Sequence, residues 1–254
     1  MKTIILCGGQ GTRMKEETEF KPKPMVNVGG RPFLWHIMKL YAHQGHKDFI
    51  LALGYKGNMI KDYFLNRRAF HDNFTLNTKT GELSYHSDDA DDFNITFVDT
   101  GLNSLTGERV RRLKDFIDDD NFMLTYGDGV ADIDINKLID FHKKQNTVGT
   151  ITGVHPLTRF GMVSKDEETN KITEFIPKTY LNDYVNGGFM VFKKEFIDMI
   201  DKDSMVETAF DPLAQNGQLS LYHHTGKWKC MDTHKEVEEI NEYYEKDPFW
   251  KIWN

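Results

Sequence analysis

Ile4-Ile5-Leu6-Cys7-Gly8-Gly9-Gln10-Gly11-Thr12-Arg13 carries an apolar run straight into a glycine-rich turn. A short buried strand ending in such a turn is how an α/β unit begins. Glycine lets the backbone take positive φ and come close to a bulky ligand, as is expected of Gly8, Gly9 and Gly11. Beyond Arg13, Lys21-Pro22-Lys23-Pro24-Met25 sets two lysines among prolines. Exposed amides of the turn, with Arg13, Lys21 and Lys23 converging on them, suit a polyanion better than an uncharged ligand. A glycine turn after a strand is also an ordinary joint of α/β proteins. The Thr12-Arg13 ending and the Lys-Pro-Lys-Pro sequel set this one apart. It lacks both the Gly-Lys-Ser/Thr ending of a P-loop and the three-glycine spacing of a dinucleotide fingerprint.

Outward from this turn the pattern alternates. Phe33, Leu34, Ile37, Met38, Leu40 and Tyr41 recur with helical period, with Pro32 near the helix start. Strands are expected over residues 2–6, 48–53, 95–100 and 121–126, and helices over 56–64 and 108–118. This order predicts an α/β fold with a doubly wound, mostly parallel mixed sheet, whose ligands sit at the carboxyl ends of the strands. Residues 66–93 break the rhythm and read as a loop or short hairpin insertion. Their run Asp88-Asp89-Ala90-Asp91-Asp92 reads as a solvated acidic surface rather than a metal site. Short strands over 149–154, 161–164 and 188–192 extend the sheet or build the second half of a cleft. A helix is expected over 235–244, and Phe249, Trp250 and Trp253 then read as a docking or subunit contact.

The 254 residues can bury one large core, and 39% hydrophobic with 28% charged residues is ordinary globular composition. A net charge of −7 argues against a general nucleic-acid or membrane-surface binder, though not against a local positive pocket. Cys7 and Cys230 show no metal-ligand spacing and read as small residues in or near a core. The segment before the glycine turn is too short for a signal peptide, and no apolar run reaches about 18 residues. A cytoplasmic protein is expected.

Two carboxylates are the candidates for the chemistry. Tyr126-Gly127-Asp128-Gly129 closes an expected strand, so Asp128 is placed either to hold a hard divalent cation or to bond its own backbone in a turn. Asp232, before an expected helix, is either a second metal ligand or an N-cap. As a pair they fit nucleotidyl transfer, which needs an anionic nucleophile in line with an α-phosphate and charge neutralisation around it. Arg13 and Lys23 opposite such a pair would complete that requirement. In the loop from Asp99 to Arg109, Ser104, Thr106 and Arg109 could read the edge of a base, or the two hydroxyls could merely cap a helix.

These stretches, with Trp35-His36-Ile37-Met38, Arg159-Phe160-Gly161, Asn186-Gly187-Gly188-Phe189 and Met231-Asp232-Thr233, resemble the sugar-phosphate nucleotidyltransferases. Within them the match, in order over nearly the whole chain, is to the glucose-1-phosphate cytidylyltransferases. The resemblance implies a Rossmann-like fold and a reaction of CTP with α-D-glucose 1-phosphate giving CDP-glucose and pyrophosphate, with Mg2+ on Asp128 and Asp232. It implies nucleotide contacts from Leu6, Cys7, Gly8, Gly9 and Gln10, and triphosphate contacts from Gly11, Thr12 and Arg13. Lys23 would steady the α-phosphate, with Ser104, Thr106, Arg109 and Gly127 around the nucleoside. Asn186 and Gly188 would line a sugar pocket. A single domain is implied, residues 1–150 serving mainly the nucleotide and 151–254 the sugar phosphate and the contacts of a homo-oligomer.

The chain departs from the family twice. Phe175-Ile176-Pro177 stands where the family usually has Glu-Lys-Pro, and that lysine grips the sugar phosphate. Its loss would cost about 1.5–3 kcal/mol. That leaves Lys178 to reach back, a different acceptor, or a weaker enzyme. Asp211, before Pro212-Leu213, is shorter than the family's acid, which reads sugar hydroxyls. The same fold with dTTP or UTP, and a non-catalytic nucleotide-sugar sensor, are the alternatives.

Overall fold

The computed structural model describes residues 1–254 except Asp88, Asp89, Arg159 and Asn254, and except the side chains of Lys15 and Glu16. The first two aspartates of the acidic run, and the arginine of Arg159-Phe160-Gly161, therefore lie outside the described residues. Among those described, seven strands form the central sheet: β1 (Thr3–Leu6), β2 (Asp48–Leu53), β3 (Asn94–Asp99), β4 (Asn121–Tyr126), β5 (Gly149–Val154), β6 (Val185–Lys193) and β7 (Leu219–His223). Their spatial order is β7-β5-β6-β4-β1-β2-β3. β6 runs antiparallel to β4 and β5, and the other neighbours are parallel.

Alternation along β1 explains why helices cover both faces. Ile5 and Cys7 enter one core with residues of α1 (Phe33–His43), α4 (Ile135–Gln145) and α6 (His234–Lys246). Ile4 and Leu6 enter the other, with Val110 of α3 (Thr106–Arg111) and Leu213 of α5 (Phe210–Gln215). A strand buried on both faces must be apolar throughout, as Thr3–Leu6 nearly is. The chain leaves β1 toward β2 on one side and meets β4 on the other. Their carboxyl ends are thus a topological switch point, where such sheets bind ligands.

Several expectations need correcting. The helix expected to stop at residue 64 continues as α2 (Gly57–His71), followed by the hairpin Phe74–Asn77 and Glu82–Tyr85. Its second half leaves Leu65 and Phe70 exposed and is anchored by charge pairs as well as by Phe64: Arg67 Nη1 lies 2.9 Å from Asp91 and Arg68 Nε 3.0 Å from Asp72. Asp91 is accordingly not solvated surface. Its side chain is 5% exposed, taking Lys39 at 3.3 Å and the Trp35 indole N–H at 2.6 Å as well, whereas Asp92 stays exposed. The helix after residue 105 ends early, at Arg111, and a single turn follows at Lys114–Phe116. Met162–Lys165 pairs with Ile172–Ile176 in a separate exposed hairpin and does not extend the sheet.

The terminal aromatics dock on their own chain. Trp250 is fully buried and Trp253 nearly so, packed edge-on against His36 and Trp35 of α1. His36 donates from Nε2 to the Val28 carbonyl at 2.9 Å and accepts from the Trp250 indole at 3.4 Å. Burial pushes its pKa down to about 4, and burial does the same to His142, held by Thr150 and Asn121. Folded imidazoles that refuse a proton lose stability to the unfolded chain, which accepts one below about pH 6.5. Stability should therefore fall between about pH 6.5 and 4, by roughly 2 kcal/mol per histidine at pH 5. Urea unfolding at pH 7.5 and 5 measures this, and a flat profile would contradict it.

Candidate active site

A cleft of about 560 Å³ opens at the carboxyl ends of β1 and β4, within the usual range for a small-molecule site. Leu6, Cys7, Gly8, Gly9, Gln10, Gly11, Thr12 and Arg13 form one wall, and Lys23, Ser104, Thr106, Arg109, Gly127, Asp128 and Asp232 also line it. Every residue expected at the nucleotide is therefore brought together. Lys21 is not: it pairs with Glu17, four residues back, at 3.3 Å and stays off the wall.

The three glycines of the turn differ in purpose. Only Gly11 has positive φ, at +62°, which corrects the expectation for the other two. Gly8 is required by crowding: a Cβ there would lie 2.2 Å from Arg109 Nη1. Gly9 has no heavy atom within 4 Å of such a Cβ.

Arg109 is a strut. It is 3% exposed, and Nη1 donates to Leu53 O (3.0 Å), Thr100 Oγ1 (2.7 Å) and Gly101 O (2.8 Å). Nη2 donates to Gly8 O (2.9 Å) and Leu102 O (3.3 Å). One guanidinium thereby ties together the ends of β1, β2 and β3. Its terminal nitrogens are committed to these groups, which corrects their assignment to a base edge.

Asp128 and Asp232 meet because a short antiparallel pair joins their segments. Trp228–Cys230 pairs with Gly129–Ala131, and Met231 N donates to Asp128 O at 2.9 Å. Asp232 is not the cap of α6. Thr233 takes that role in a capping box with Glu236, leaving the Asp232 carboxylate to the cleft. Lys23 Nζ lies 2.5 Å from Asp128 Oδ2 and 2.5 Å from Asp232 Oδ1, with Arg13 Nη1 3.4 Å from Asp232 Oδ2. Burial pulls the Lys23 pKa down, but Asp128 and Asp232 outweigh it and hold the ammonium above its ordinary value. Both thiols are free and protonated: burial, with nearby carboxylates, raises Cys230 to about 12 and Cys7 further. Neither serves as a nucleophile.

One cation already reaches an oxygen of each carboxylate, so the pair fits a hard divalent ion. Among the described residues no group of three or more His, Cys, Asp or Glu converges on a metal position. Two carboxylates with the remaining places left to water and phosphate oxygens is the way Mg2+ is usually held.

Of the two readings of Ser104 and Thr106, helix capping falls away: neither side chain caps α3. Ser104 Oγ donates to Thr100 O at 2.5 Å, and Thr106 Oγ1 bonds Glu207 at 3.3 Å and Val206 N at 2.9 Å. Glu207 also accepts from the Tyr126 hydroxyl, to which Asn186 Nδ2 donates at 3.4 Å. Gly188, at φ +84°, leaves room for the Tyr126 ring, which a Cβ would approach to 2.8 Å. Glu207 was missed by sequence reasoning. Its only signal is an acid shortly before Asp211, a residue that is itself exposed and bonded to Gln215 at 2.9 Å. Lys178, Asn186, Gly188 and Asp211 do not line the cleft, Asn186 and Gly188 standing behind Tyr126.

Residues 2–247 match the family described as nucleotidyl transferase. Over its whole length the chain is 40% identical to a probable glucose-1-phosphate cytidylyltransferase of Bacillus subtilis (strain 168), also matched in full. It is 42% identical to glucose-1-phosphate cytidylyltransferase of Salmonella typhi, again with both chains fully covered. Among solved structures, HddC from Yersinia pseudotuberculosis superposes with a TM-score of 0.71 at 22% identity, covering 96% of this chain and 99% of that one, a likeness of fold. An α/β sheet with a glycine turn at its switch point, a paired-carboxylate cleft and these full-length relatives lead to one conclusion: the chain belongs to the nucleotidyl transferase family, in its glucose-1-phosphate cytidylyltransferase branch.

Proposed function

We propose that this enzyme transfers a cytidylyl group from CTP to α-D-glucose 1-phosphate, giving CDP-glucose and pyrophosphate, with Mg2+ held by Asp128 and Asp232. The observation that carries the reading is the meeting of both carboxylates with Lys23, each at 2.5 Å, on the cleft that the glycine turn completes. Bound Mg2+ would offset charge on the transferred phosphate and on pyrophosphate. The rest falls to side chains and backbone. The turn from Gly8 to Gly11 admits the triphosphate closely, Arg13 and Lys23 offset its charge, and Arg109 keeps the turn in place through Gly8 O. Ser104, Thr106 and Gly127 border the nucleoside. The sugar phosphate is already anionic, so alignment with the α-phosphorus does the work of a general base.

On the acceptor side, Lys178, Asn186, Gly188 and Asp211 are assigned to the sugar phosphate, Asn186 and Gly188 acting through the Tyr126 wall, while Lys178 and Asp211 stand outside the cleft and are assigned on the family resemblance. Residues 1–150 mainly serve the nucleotide and 151–254 the sugar phosphate, within a cytoplasmic homo-oligomer. No helix among the described residues is long and apolar enough to cross a membrane. Pyrophosphate release from CTP, dTTP and UTP, each with a panel of sugar 1-phosphates, tests the substrates. Turnover with CTP and glucose 1-phosphate above all other pairs is expected. Ile176 favours one second reading, a different sugar 1-phosphate, which the same panel would reveal. Lys178→Ala should raise KM for glucose 1-phosphate about tenfold or more while leaving KM for CTP nearly unchanged. Equal effects on both would remove Lys178 from the acceptor site.

A further inference from the structure

We propose that Lys23 occupies the place of the divalent cation and must leave it before one binds. The inference rests on the reading of Asp128 and Asp232 as a metal pair. The ammonium sits 2.5 Å from Asp128 Oδ2 and 2.5 Å from Asp232 Oδ1, so it uses oxygens that a hard cation would need. Its side chain is 14% exposed while that of Arg13 is 77% exposed. Lys23 is therefore the inner cation and Arg13 the outer one. Without an inner cation the two half-buried carboxylates would repel each other.

The geometry also shows how the ammonium can move. Lys23 starts a single turn, Lys23–Met25, fixed by Met25 N to Pro22 O (2.8 Å) and Val26 N to Lys23 O (3.1 Å). The backbone is held while four flexible carbons carry the charge. The stem passes beside the glycine turn: Lys23 Cβ is 3.3 Å from where a Gly11 Cβ would stand. Rotation of the side chain alone can take Nζ from the carboxylates toward a phosphate lying along that turn.

Two consequences follow from linkage. A metal ion that takes the carboxylates releases Lys23 to the triphosphate, and a triphosphate that attracts Lys23 opens the carboxylates to the metal. The two ligands then favour each other through the protein, in addition to any direct chelation between them.

Electron paramagnetic resonance of Mn2+ with nucleotide-free enzyme tests the displacement. Lys23→Met should bind Mn2+ at least tenfold more tightly than the wild type, and equal or weaker affinity would overturn the proposal. A second measurement needs no variant to fold differently: with lysine 13Cε labelling, the Lys23 resonance of the wild type should shift in step with Mg2+ occupancy. Mg2+ binding with that resonance unmoved would overturn the proposal too. Asp128→Asn in the Lys23→Met background separates the two ideas. It should abolish the gain, whereas undiminished Mn2+ binding would bring down the metal-pair reading itself.

Discussion

Asp128→Asn is expected to lower kcat by on the order of a hundred- to a thousandfold, the scale seen when a preorganised charge-stabilising group is removed. The substitution keeps shape and one acceptor oxygen, so Lys23 retains a partner there and the fold should melt within a few degrees of the wild type. Asp128 is 31% exposed and belongs to the cleft wall, not to either core. KM for CTP should change far less than kcat, because the glycine turn, Arg13 and Lys23 remain. Asp232→Asn should behave alike, and the double variant should be little worse than either single one, as expected of residues that act as a unit. Pyrophosphate release under saturating Mg2+ measures all three. Activity of Asp128→Asn within tenfold of the wild type would sink the proposed role of the pair.

Gly8→Ala carries the second large effect, through Arg109. The new methyl would stand 2.2 Å from Nη1 and 2.3 Å from Cζ of a guanidinium that is nearly fully buried. That group cannot retreat without abandoning the carbonyls at the ends of β1, β2 and β3, leaving a buried charge short of acceptors. A loss of about 3–5 kcal/mol is expected, with weakened CTP binding because the turn itself shifts. Gly9→Ala, with open space at its Cβ and no positive φ, should change stability by less than about 0.5 kcal/mol. Urea unfolding of the two variants side by side decides the matter, and equal stabilities would show that Arg109 does not depend on Gly8.

What could be read from the sequence is what is local. The apolar run, the glycine turn and Tyr126-Gly127-Asp128 each declare themselves within a few residues, so the first half of the sheet and most of one cleft wall were legible. Asp232 was legible as an acid before a helix, but its meeting with Asp128 depends on Trp228–Cys230 pairing with Gly129–Ala131, a contact between distant segments. Glu207 gave no sign because its value comes from Tyr126 and Thr106, which belong to other elements. The second half of α2 looked like loop because Arg67 and Arg68 suggest solvent, while in the folded chain Arg67 is buried against Asp91. Arg109 was legible as a site residue but not as a strut, since all but one of its acceptors are main-chain carbonyls that no side-chain pattern announces.

Because β6 lies between β4 and β5, the sheet is stitched across the middle of the sequence. A fragment stopped near residue 150 would present β4 with a raw hydrogen-bonding edge, an invitation to aggregate. The remainder would lack the strand on which β6 zips. The nucleotide and acceptor halves are thus divisions of labour and not separable pieces, so new acceptor preferences should be sought by exchanging surface segments rather than by splicing half-proteins.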